Sequence, residues 1–325
     1  MDSYNDETYW INNSINKIEE GSYVVDTTNQ AYFGAPLYNK VNTVWLDWTG
    51  VDKWNYRILS IFFLIFTSII LYLILKPHVD KRYLLWYIGG FLILFETKLY
   101  FTTSTPVPIE MFFQSLLILF LLRFRLDNPK NLILTFIIVY LSILSKTTSI
   151  WLIGFVAVIY WYDNRDIIKT GLFSGIFILP YLIMNYIFMR IEPEAFKGYL
   201  DLVSYNISFN KETIKQIINP LYYAEKLYGY FLYPTSWLMI IVPTIALVKN
   251  KIKLDRTMIV LFTFITVLLI SLIFTDQLKF PRRIVNLTTP IYLIFIILLD
   301  RNNWRDLFKH YIIINLIFHV IFINN

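Results

Sequence analysis

The chain has 325 residues, of which 57% are hydrophobic, 18% aromatic and only 16% charged, and its net charge is +6. That is too little charge to cover the cores a soluble chain of this length would bury, and the long apolar runs point to membrane spans. The Lys and Arg stand in short clusters between apolar runs, which argues against a nucleic-acid face, and the lack of Cys excludes disulfides and thiolate metal sites.

The first 55 residues are polar and open MDSYNDETYW, with Asp2, Asp6 and Glu7 at the front. A solvated tail and a catalytic loop on one face of a membrane are both open readings of such a start. The sequence shows no signal peptide of the n-region plus h-region form, so the first apolar helix is expected to act as its own insertion signal. Apolar spans of roughly 17 to 25 residues suit a membrane crossing. They predict helices near 57–75, 83–101, 107–123, 131–145, 147–162, 167–189, 228–248, 257–275, 284–299 and 311–323. The pair 131–145 and 147–162 reads either as two spans or as a tight helical hairpin. Residues 1–55 and 190–227 carry aromatics and aliphatics at irregular helical spacing, expected to lie on the membrane surface as short amphipathic helices. The expected fold class is all-α: a polytopic membrane protein of about ten transmembrane helices. A single integral domain would then comprise an outer loop 1–55, a first bundle 57–189, an outer loop 190–227 and C-terminal helices 228–325.

Alternate short loops hold the cations: Lys76, Lys81 and Arg82; Arg123, Arg125 and Lys130; Arg165 and Lys169; Lys249, Lys251, Lys253 and Arg256; Arg301, Arg305 and Lys309. The positive-inside rule places these loops in the cytoplasm. The N-terminal segment, the 102–106 turn, the turn at Lys146, the 190–227 loop and TDQLKFPRR then face outward.

Chemistry gathers on that outer side: Asp6 and Glu7, Glu110 after TSTPVPIE's prolines, Lys146 in LSILSKTTSIW, and Lys279, Arg282 and Arg283. An ionisable residue at membrane depth is a functional-site hypothesis. A carboxylate could deprotonate an acceptor hydroxyl while Arg and Lys neutralise a phosphate leaving group. His78 and His310 fall in cytoplasmic stretches and His319 in the last helix, so the base is expected to be Asp or Glu. Each residue also has a plain reading. Glu110 suits the positive end of a helix dipole, Lys146 can snorkel to the interface, and the Arg pair can meet anionic headgroups. Trp86, Trp151, Trp161 and Trp237 read as interface anchors.

The motifs in order resemble the glycosyltransferase C superfamily, nearest to the branch of protein O-mannosyltransferases and bacterial lipid A aminoarabinose transferases. NDETYW resembles its Asp-Glu motif, and YFGAPLYNK with Arg57 resembles the stretch that follows. TSTPVPIEMFFQSLLILFLL, LSILSKTTSIWLIGF and FPRRIVNLTTPIYLIFIILL resemble the later acidic, Lys-Thr and Arg-then-Pro segments. The resemblance implies a catalytic base at Asp6 with Glu7 beside it, and acceptor or divalent-cation binding at Glu110. It implies that Lys146 and Arg282 or Arg283 hold the phosphate of a polyprenyl-phosphate sugar donor. The reaction implied is an inverting displacement at the anomeric carbon, onto an extracytoplasmic protein, lipid or glycan hydroxyl, with no nucleic-acid partner. Relatives carry a transmembrane helix before the Asp-Glu loop, whereas this chain starts inside that loop, which reads as a late start or a truncated or divergent member. Many relatives have Asp where Glu110 stands. Rival readings are an O-antigen-type polymerase or ligase, a lipid-linked sugar transporter, and a non-catalytic scaffold.

Overall fold

A computed structural model of the chain describes residues 5–23, 31–94, 103–207, 234–249, 251–274 and 285–323. The described residues are all-α, with no strand among them. The helices are α1 (Asn5–Glu19), α2 (Ala31–Gly34), α3 (Pro36–Thr49), α4 (Lys53–Leu75), α5 (Lys81–Leu92), α6 (Val107–Arg123) and α7 (Pro129–Ser145). A 3-10 turn (Thr147–Trp151) leads into α8 (Leu152–Asn164), α9 (Ile167–Ile191) and α10 (Pro193–Ile207). Then come α11 (Pro234–Val248), α12 (Arg256–Phe274), α13 (Thr288–Arg301) and α14 (Asp306–Ile323).

Each of the ten predicted apolar spans contains helix, although α5 stops at Leu92 inside the 83–101 span. Among the described residues two helices, Trp54–Leu75 of α4 and Ile167–Ile191 of α9, are long and apolar enough to cross a bilayer. Their apolar windows are only 33% and 17% buried, so neither is the core helix of a packed globule. Four helix starts carry short polar caps. Asn128, Asp80, Asp166 and Asp255 accept backbone hydrogen bonds from Lys130, Arg82, Lys169 and Met258, which satisfies first-turn donors that have no partner within the helix. Pro106, Pro108 and Pro129 stand at or next to helix starts, where a missing N–H costs nothing.

The chain divides into two compact units. The first comprises Met1–Thr67 and Tyr100–Asn206. Here α1 packs on α3, α3 on α7, α6 on α7, and α8 on α9. The polar opening is thus helical from Asn5, with Asn13 and Ser14 buried against α3. Ser14 Oγ donates to the Asn39 carbonyl at 3.1 Å, and Asn42 Nδ2 donates to Ser14 Oγ at 3.3 Å. Trp10, Tyr38, Ala35 and Ile109 pack together beside them. An aromatic core joins α2, α9 and α10, with Phe33 at 5.2 Å from Phe188 and 5.5 Å from Phe196 between ring centres. The 131–145 and 147–162 spans become α7 and the turn plus α8. Trp151, expected as an interface anchor, is buried.

The second unit comprises Ser68–Leu99 and Ile207–Asn325. Its core holds α13, buried from Tyr292 to Leu299, with α11 and α12 packed on it and α14 packed on α11. Three cationic stretches meet at one end of this unit. The Asp80 N–H donates to Asp300 Oδ2 at 3.1 Å, Arg305 Nε donates to Asp300 Oδ1 at 2.8 Å, and Arg301 pairs with Asp255 at 2.5 Å.

Candidate functional site

The start of α6 carries the site. Pro106 and Pro108 open the helix, and Glu110 follows in its first turn, where the helix dipole favours a negative charge. Glu110 nonetheless does not face water: it is 1% exposed. Its partner comes from the end of α7. Ser145 ends that helix, and Lys146 turns to extended backbone, φ −162° and ψ 115°, before the 3-10 turn begins. This break places the Lys146 ammonium 2.9 Å from Glu110 Oε2, with the two side chains 6% and 1% exposed.

Two further side chains complete the cluster. Ser149 Oγ donates to Glu110 Oε1 at 2.5 Å, and Gln114 Nε2 donates to the same oxygen at 3.3 Å. Gln114 lies one turn beyond Glu110 on α6 and so shares its face, and the 3-10 turn that starts after Lys146 carries Ser149. Sequence reasoning singled out neither. Ser142 Oγ, one turn before Lys146, and Ser115 Oγ, next to Gln114, are buried with no hydrogen-bond partner among the described residues.

The surrounding elements belong to the loops expected on one face. Thr147 shares a 2.7 Å hydrogen bond with Tyr199 of α10 and donates to the Gly34 carbonyl of α2 at 3.3 Å. Tyr38 of α3 shares a 2.8 Å bond with Ser104, and Ser60 of α4 donates to the Thr103 carbonyl at 2.8 Å. The N-terminal segment, the 102–106 turn, the Lys146 turn and the start of the 190–227 loop therefore meet in the first unit.

Of the predicted site residues, the structure brings Glu110 and Lys146 into direct contact. Asp6 and Glu7 stand in the first turn of α1, one turn before Trp10, and their side chains lie outside the described ones. Arg282 and Arg283 lie outside the described residues. A hard divalent cation takes several oxygen ligands. Among the described residues no group of three or more His, Asp or Glu side chains stands together, and the charged neighbour of Glu110 is the Lys146 ammonium.

Compared with known proteins, the chain matches no protein-family model, no curated protein and no solved structure.

Proposed function

We propose that the chain is an integral membrane glycosyltransferase that takes a sugar from a polyprenyl-phosphate carrier and passes it to a hydroxyl outside the cytoplasm. The observation that carries this reading is the Glu110–Lys146 pair: two opposite charges held out of water at a point where four chain segments converge. Buried ionisable groups are costly, and in a membrane chain they mark functional pathways. The exposed apolar faces of α4 and α9 support the membrane part, since each carries a stripe of large hydrophobics that a bilayer would cover. The resemblance of the ordered motifs supports the chemistry.

In this reading Asp6 accepts the proton of the acceptor hydroxyl. The acceptor oxygen then forms a bond to the anomeric carbon, and the bond from that carbon to the phosphate oxygen breaks. The electron pair leaves on the polyprenyl phosphate, whose charge Arg282 or Arg283 meets. Lys146 exchanges Glu110 for the donor phosphate when the donor binds, and the released Glu110 turns to the acceptor. Ten membrane crossings, with the cationic loops inside, complete the picture.

Wild-type and Asp6→Asn proteins, purified in detergent, test the assignment through native mass spectrometry of the bound carrier. The variant should hold the sugar-loaded carrier, and the wild type the spent one. Equal conversion by both would remove Asp6 from the chemistry.

One observation favours a second reading, a non-catalytic scaffold. Glu110 accepts from Lys146, Ser149 and Gln114 at once, and a network satisfied in this way also serves as a brace between α6 and α7.

A further inference from the structure

The second unit carries an apolar groove of about 330 Å³ between α5 and α14, lined by Leu85, Trp86, Gly89, Ile93, Ile312 and Leu316. The groove is open at Gly89, where a Cβ would meet nothing within 4 Å. Leu85 and Trp86 are 75% and 66% exposed, so the groove opens outward. From Leu85 to Ile93 it follows eight residues of chain, about 12 Å at the helical rise. That is most of one leaflet's share of a hydrocarbon core about 30 Å thick.

One end of the groove is cationic. Arg305, just before α14, lies 5.0 Å over the Tyr83 ring in the first turn of α5, so both helices begin at the same end. Lys81 opens α5, and Lys309 stands one turn before Ile312; both are exposed, and Lys309 is held 2.8 Å from the exposed Asp306 carboxylate, a surface pair that a phosphate can displace. The three stretches that meet here, 76–82, 249–256 and 300–310, hold ten Lys and Arg against four Asp, a net of +6. Apolar walls of leaflet depth below a positive rim match a molecule with an anionic head and a hydrocarbon tail.

We propose that this groove binds an anionic phospholipid of the bilayer, with one acyl chain along Gly89 and the phosphate between Lys81 and Lys309. The proposal rests on the membrane reading above, not on the transferase chemistry. Trp86 is its reporter, because tryptophan sits at the headgroup level of a bilayer.

Full-length protein would be reconstituted in phosphatidylcholine vesicles. These would carry bromine-labelled acyl chains on either phosphatidylglycerol or phosphatidylcholine. The fluorescence lost between wild type and Trp86→Phe isolates the Trp86 signal. Brominated phosphatidylglycerol should quench that signal at far lower mole fraction than brominated phosphatidylcholine. Lys81→Gln and Lys309→Gln should each weaken the preference about fivefold. Gly89→Leu, which fills the groove on a good helix former, should reduce quenching by both lipids. Equal quenching of wild type by the two lipids would overturn the site and leave an ordinary lipid contact. A protein that does not float with the vesicles would instead overturn the membrane reading, so the two failures are distinct.

Discussion

Lys146 is the residue on which the site turns. Its ammonium is the cation paired with Glu110, and removing one partner of a buried pair leaves the other charge uncompensated. Lys146→Met is therefore expected to cost about 3–5 kcal/mol, read as a fall in the thermal unfolding midpoint in detergent. The double change Glu110→Gln/Lys146→Met should regain most of that loss, since neither charge then remains. If it regains stability and still converts carrier, the pair is only a brace; the transferase reading expects stability without conversion. Both residues stand out in the sequence as charges among apolar runs, and there they read as separate features, one for the acceptor and one for the phosphate. Their contact spans 36 positions, and no local pattern encodes a pairing at that distance. Gln114 and Ser149 were within reach of helical spacing, but polar residues near helix ends are too common to single out.

At the scale of elements, the helices were legible because apolar runs end at charges, prolines and capping residues, and those same groups stop or start helices in the structure. The short α2 and α3 inside the polar opening were legible only as irregular amphipathic spacing. Which helix packs on which was not legible. Residues 68–99 fall in the unit that holds the C-terminal helices, and periodicity, which gives a helix its face, does not name its neighbour. Adjacent glycines on α5 show the consequence. A Cβ at Gly90 would lie 2.5 Å from the Phe308 ring and 2.8 Å from the hydroxyl of Tyr292, a fully buried side chain that donates to the Tyr87 carbonyl. Gly90→Ala is expected to destabilise by about 1–3 kcal/mol through overpacking. Gly89→Ala, with open space around it, should be neutral or stabilise by roughly 0.5–1 kcal/mol, as alanine does in a helix. Unfolding midpoints of the two variants check the contrast.

For the whole molecule, the cationic end of the second unit links folding to pH. Burial holds His78 below the ordinary imidazole range; Arg301 adds to this and Asp255 opposes it. Hydrogen bonds from the Arg82 side chain and backbone hold Asp80 at about 2. In both cases the folded chain binds a proton less readily than the unfolded one, so acid favours unfolding. The His78 contribution is complete above the ordinary imidazole value of about 6.5 and is lost as pH falls through it. The Asp80 contribution persists below that and is lost as pH falls from 3.8 toward about 2. Midpoints should therefore drop as pH falls below about 6.5 in wild type and drop less in His78→Asn. Native mass spectrometry of the detergent-purified protein, with bound lipid identified after release, would show what the chain carries. Wild type would be compared with an Arg282→Ala/Arg283→Ala variant. The account predicts a polyprenyl phosphate or its glycosylated form on wild type, lost from the variant; bulk phospholipid alone on both would contradict it.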